Sequence, residues 1–278
     1  MADAPGVSRL AGEVDLRFGL AGNERTSLVR RYRTGHFHLG KAYDDGRQLV
    51  VQVVNTTAGI FENDTLHSHF ACDSGARACV LSPSSNQVYA MPGSGAASSR
   101  QHIEVRSGGS LTVLPRWLVP HRGSRFEQVT TIELEPKARL FYLEPVSAGR
   151  NSSGEFLETE SLSCRVDIRA GGRLILREHL LIGNRANRWI LERRGERFPY
   201  LATAYVAFPG AAGFIERDLA GIAGTAGHST RAGVTALTDE LAVIRLLGKN
   251  CTEITATLKA LYAALRDEVP ISPVMGRI

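Results

Sequence analysis

Two histidine pairs at i, i+2 spacing are the first residues with types and spacing suited to chemistry. His36-x-His38 and His67-x-His69 lie in alternating segments. Residues two apart in a strand project from the same face. Two imidazoles on one face can hold a borderline divalent cation such as zinc or nickel. The plainer alternative is an exposed polar face. His102, His121, His179 and His228 are isolated in the sequence. Cys72, Cys79, Cys164 and Cys251 show no C-x-x-C spacing, so reduced and mostly buried thiols are expected rather than a zinc knuckle. No G-x-S-x-G elbow, G-x-x-x-x-G-K-[ST] phosphate loop or H-E-x-x-H helix is present, and no catalytic residue is assigned.

Three loops stand out beside the histidines. The first is NTTAGIFENDTL, from Asn55 through Gly59 and Asp64 to Leu66. The second is SPSSNQVY, with Gln87 and Tyr89. The third is EPVSAGRNSSGEF, which brings Glu144, Gly149, Arg150, Gly154 and Glu155 close in sequence. Taken singly, each reads as turn chemistry, with Gly at positive φ and Asn or Ser bonding the backbone.

The elements that must position these loops are mostly strands. Five stretches repeat one pattern, a small or charged turn followed by an apolar strand. They begin at Gly46, Ala76, Gly109, Ala138 and Gly172, and run as RQLVV, RACVL, SLTVL, RLFYL and RLIL. Four are preceded by a strand of matching form: HFACDSG, HIEVRSG, TIELEPK and CRVDIRAG. A unit recurring about every 30 residues suggests stacked coils, because one strand-turn-strand unit cannot bury its own apolar face; the competing reading is ordinary β-hairpins in a sandwich, where turn signals also recur. The expected fold is mostly β, an irregular β-helix-like stack of strand-turn-strand units with about two helices. Asn250 with Glu253 forms a helix start, and Ile254, Leu258, Leu261 and Leu265 then mark one face of a helix. A second, shorter helix is expected near Phe214–Ala220. Residues 13–270 are read as a single domain and residues 1–12 as a flexible tail. The loop Gly93–Ser99 is also read as flexible.

The chain has 278 residues, 43% apolar and 22% charged, which excludes a disordered or collagen-like chain. Of its 33 basic residues only Lys41, Lys137, Lys249 and Lys259 are lysines, and the net charge is +5. The arginines are scattered. The densest group, Arg185 to Arg197, is interrupted by Glu192 and Glu196, so no nucleic-acid partner is expected. No apolar run approaches the roughly 20 residues of a spanning helix, and the acidic, apolar-poor start lacks a secretory h-region. No membrane partner and a cytoplasmic location are expected.

In order and spacing, the three loops resemble the urease accessory protein D family (UreD, also called UreH). NTTAGIFENDTL matches that family's N-x-x-G-G-x-x-x-G-D-x-L segment, with Ala58 and Asn63 where the family has glycines. ACVLSPSSNQVYAM, GGSLTVLPRWLVPHRGSRF, EPVSAGRNSSGEF and RLILREHLLIG follow in the family's order. Arg116-Trp117 and the ending SPVMGRI depart from it. The resemblance implies a non-enzymatic maturation factor with no tightly bound cofactor. It implies binding to apo-urease and to an F-type accessory protein, and through the latter to a G-type GTPase. It also implies nickel in transit, with Asp64, Glu144, Glu155 and Glu178 at the family's acidic positions. Arg150 or Arg177 could instead hold these acids in salt bridges. Phe37, Trp117 and Trp189 are expected as exposed interface anchors. The alternatives are a divergent paralogue and an unrelated metal-dependent β enzyme using one of the His-x-His pairs.

Overall fold

The repeating turns act as corners between two stacked sheets. The computed structural model describes residues 10–22, 24–183, 188–193, 195–215 and 229–271. Its first strands are β1 (Ala11–Leu20), β2 (Thr26–Thr34), β3 (Phe37–Leu39), β4 (Tyr43–Asp44) and β5 (Leu49–Asn55). The repeat follows as β6 (Thr65–Cys72), β7 (Arg77–Leu81), β8 (Asn86–Val88), β9 (Ala97–Val105) and β10 (Ser110–Leu114). It continues through β11 (Leu118–Pro120), β12 (Arg125–Leu134), β13 (Arg139–Ser147), β14 (Ser161–Ala170) and β15 (Arg173–Ile182). The last strands are β16 (Glu192–Arg193), β17 (Glu196–Arg197), β18 (Tyr200–Ala207), β19 (Thr230–Thr238) and β20 (Leu241–Gly248). The helices are α1 (Ala211–Phe214) and α2 (Cys251–Leu265).

The first sheet has the order β15-β14-β12-β9-β6-β1-β2, and the second runs β19-β20-β18-β13-β10-β7-β5-β3. Strands β6, β9, β12 and β14 stack in parallel, as do β5, β7, β10 and β13, so the chain winds as a β-solenoid of roughly four coils. The corners are tight turns closed by Ala76 N–H to Asp73 O, Gly109 N–H to Arg106 O and Ala138 N–H to Glu135 O. Gly75, Gly108 and Lys137 occupy their positive-φ positions. The fifth repeat differs. Gly171 and Gly172 both have positive φ, and the chain reverses as an antiparallel hairpin within the first sheet. Two successive positive-φ residues favour a two-residue hairpin over a corner.

Burial follows this layering. Leu16, Phe70, Ile103, Ile132 and Ile168 stand side by side across the first sheet and fill the space between the sheets. Helix α2 covers the outer face of the second sheet, where Phe141 meets Tyr262 edge-on. Strands β13 and β18 are therefore buried on both faces and read as nearly continuous apolar runs, whereas β6 alternates. Asn250 caps α2 by accepting the Glu253 N–H at 2.8 Å, and Ile254, Leu258, Leu261 and Leu265 form its buried face. All four cysteines are free and only Cys251 is not buried. No helix among the described residues is long and apolar enough to cross a membrane.

Several expectations change. Of the stretch read as a tail, Ala11 and Gly12 belong to β1 and pair with Thr65 and Leu66, while residues 1–9 lie outside the described residues. The Gly93–Ser99 loop is fastened: Gly93 and Gly95 donate their N–H groups to Glu62, and Ala97 already starts β9. Phe37 and Trp117 are buried, because they pack into the two cores flanking the second sheet. Trp189 alone of the three is exposed. Most of the helix expected near Phe214–Ala220 lies outside the described residues, as do Arg185, Arg194 and His228.

Candidate functional site

Glu144 is the acid with the most unusual surroundings. It lies on β13 with the inward parity of Tyr142 and Val146, 8% exposed between the two sheets. Gln128 donates Nε2–H to its Oε1 at 2.8 Å, and the Tyr142 hydroxyl lies 3.4 Å from the same atom. No basic group forms an ion pair with it among the described residues. Burial pushes its carboxyl up to about 7; the Gln128 bond opposes this, and the nearby Glu178 charge adds to it. Tyr142 and Tyr205, stacked beside it, are held well above the usual phenol range, chiefly by burial.

A polar row leads outward from this acid. Glu144 pairs in register with Thr203, which pairs with Arg245. Arg245 holds Glu178 through two bonds, 3.1 Å and 2.8 Å, across from the first sheet to the second. On the other side the Thr130 hydroxyl meets Tyr142 at 3.2 Å. Gln101, the register neighbour of Thr130, has a buried Oε1 with no hydrogen-bond partner among the described residues. The interior therefore holds polar groups through the stack, where packing alone would favour methyl groups.

The three loops converge at one end of the coils. Ile60 N–H bonds Gln87 O at 2.7 Å, and Tyr89 N–H bonds Ile60 O at 2.9 Å. Phe61 stacks on Tyr89, and Tyr89 meets the His121 ring. His121 Nε2 lies 2.8 Å from Gln87 Oε1. Burial lowers the His121 pKa, and the Arg150 charge lowers it further. Gly59 leaves no room for a side chain, since a Cβ would lie 2.5 Å from Gln87 O. Asn55 closes its own turn by accepting from Thr57. Asn63, which replaces a glycine of the resembled motif, takes φ +66°. Gly149 has φ +133° against Glu155, and Gly154 ends a single 3-10 turn in the left-handed region.

The four acids thus separate. Glu144 lies in the interior, and Glu178 stands at the partly exposed end of the same row, held by Arg245. Asp64 accepts from Leu10 N–H at 3.2 Å and Phe61 N–H at 2.8 Å, so its carboxylate fastens the first loop. Glu155 is buried and paired with Arg150, which lowers its pKa. Arg177 binds Asp167 rather than Glu178.

The chain as a whole also matches a known family. The profile described as UreD urease accessory protein matches residues 10–277. The chain belongs to the UreD urease accessory protein family. It is similar to the urease accessory protein UreD of Opitutus terrae, 33% identical over 94% of this chain and 96% of that one. The urease accessory protein UreD of Sorangium cellulosum is 29% identical over 98% of this chain and 89% of its own length. That of Actinomyces naeslundii is 26% identical over 92% and 94%.

The histidine pairs fare differently. His36 is buried in the turn before β3 while His38 is exposed, so they do not share a face. Burial lowers the His36 pKa. His67 and His69 do share the outer face of β6. His69, however, lies against His102 and Glu104 of the neighbouring strand, two residues the sequence reading left out. The repeat itself carries that signal: His69 and His102 are 33 residues apart, the same offset that separates the turns at Ala76 and Gly109.

Proposed function

We propose that the chain is a non-enzymatic urease maturation factor of the cytoplasm. It binds apo-urease and an F-type accessory protein, reaches a G-type GTPase through the latter, and helps deliver nickel to the urease active site. Family membership along almost the whole chain supports the urease role. The observation that carries the nickel step is the buried Glu144, hydrogen-bonded to Gln128 and without an ion pair among the described residues, at the head of the row that runs to Glu178. A carboxyl whose pKa is about 7 exchanges a proton for a divalent cation near neutral pH. Carboxylate, hydroxyl and amide oxygens bind such a cargo weakly enough to release it. Asp64 and Glu155, at the converging loops, are assigned as further oxygen ligands for the cargo, which would have to displace the contacts they now make.

Complementation tests the reading. Cells carry a urease operon lacking its D-type gene, receive this gene and nickel, and are assayed for ureolysis. Restored activity is expected. Its absence, despite soluble co-expression with the matching urease and F- and G-type partners, overturns the role. In the restored system Asp64→Ala and Glu144→Ala should leave the complex intact and lower its nickel loading. Loss of the complex would make these residues structural instead.

A further inference from the structure

The geometry points to a divalent-cation site on the outer face of the first sheet, formed by His69, His102 and Glu104 and oriented by Asp15. Register places the four together: Asp15 pairs with His69, and His69 with His102, across β1, β6 and β9. Glu104 lies two residues beyond His102 on the same face of β9. One ligand atom from each of His69, His102 and Glu104 lies within 4.8 Å of the others. Glu104 Oε1 is 3.3 Å from His69 Nε2 and 3.6 Å from His102 Nδ1.

The shorter of these separations is also within reach of a long hydrogen bond. Both fit the edges of a coordination tetrahedron, about 3.4 Å when the metal–ligand bonds are about 2.1 Å. The far side of His69 supports the same assignment. Its Nδ1 lies 3.2 Å from Asp15 Oδ1. That contact selects the Nδ1–H form of the ring and turns the Nε2 lone pair toward Glu104 and His102. A carboxylate behind a ligating imidazole is the usual second support of a metal site.

The arginines leave this arrangement open. Arg30 takes Asp15 Oδ2 at 2.6 Å, and Arg106 approaches Glu104 Oε2 at 3.5 Å. In both carboxylates the other oxygen faces His69. The cluster opens into a surface cleft also lined by His67, Arg100 and Thr131, so solvent can fill the remaining coordination positions. Two imidazoles and one carboxylate suit Zn²⁺, Ni²⁺ or Co²⁺, not the all-oxygen preference of Mg²⁺ or Ca²⁺. The site lies outside the polar interior and does not depend on the nickel route proposed there.

The test is metal titration of the full chain by calorimetry and by the visible bands of bound Co²⁺, with Zn²⁺ and Ni²⁺ as further probes and Mg²⁺ as a control. His69→Ala and His102→Gln should each weaken binding at this site by roughly 10-fold or more. Asp15→Asn should weaken it through ring orientation, and His67→Ala should leave it unchanged. Histidine ring ¹⁵N shifts in the unsubstituted chain give a readout that survives any folding defect of a variant. His69 and His102 should shift together as Zn²⁺ is added. Shifts confined to other histidines overturn the site, as does binding unaltered in both His variants. Absence of any Zn²⁺ binding to the unsubstituted chain overturns the site as well.

Discussion

Glu144 makes folding itself pH-dependent. Its carboxyl titrates at about 7 in the folded chain, mainly because burial disfavours the charge. In the unfolded chain a glutamate titrates near 4.3. The folded state therefore holds the proton more tightly. The associated stability is fully present below about pH 4 and is lost as pH rises through about 7. The difference corresponds to about 4 kcal/mol at most. Glu144→Gln keeps an acceptor for the Gln128 amide and the Tyr142 hydroxyl but cannot ionise. At pH 8 the variant should melt above the parent, and the gap should close toward pH 4.5. Melting curves that stay parallel across that range would assign the titration to another group. The same acid was legible in sequence only through its motif. Nothing in RLFYLEPVS announces that its glutamate faces inward, because a strand buried on both faces lacks the alternation that would tell in from out.

At the level of elements, the loop end depends on close backbone approach. Gly59 fits between the Gln87 carbonyl and the Tyr89 ring, and an added Cβ would lie 2.5 Å from the carbonyl and 2.6 Å from the ring. The carbonyl belongs to a backbone that also bonds Ile60, so it cannot step aside cheaply. Gly59→Ala should cost about 1–3 kcal/mol, seen as a lower melting temperature. A variant as stable as the parent would mean that the Gln87 loop yields. The coil architecture was readable because each corner repeats one turn chemistry before an apolar strand. The fifth unit was misleading because a second glycine converts the corner into a hairpin, and a period count does not register that difference. His102 looks isolated in the sequence, and Glu104 belongs to no motif there, for a related reason. Ligands stacked across parallel strands are separated by a whole coil, so adjacent spacing such as His67-x-His69 points to the wrong partner.

Across the whole molecule, both edges of the first sheet mix charge with exposed apolar side chains. At one edge β2 carries Arg30, Arg31 and Arg33 beside exposed Val29 and Tyr32, and charges on an edge strand resist pairing with other chains. At the other edge β15 carries Leu181, 44% exposed, and the chain then presents Trp189, 64% exposed. Phe37 and Trp117 are committed to the cores, so Trp189 is the candidate anchor that remains on the surface. In the proposed role the chain binds protein partners, and large exposed aromatics dominate such contacts. Trp189→Ala removes no core packing, so the melting temperature should hold. Binding to apo-urease or to the F-type partner should weaken by at least about 30-fold, the effect of losing a hot-spot residue worth about 2 kcal/mol. Affinity for both partners equal to the parent's would move the interface away from Trp189. Loss of affinity for only one of them would show which partner Trp189 receives.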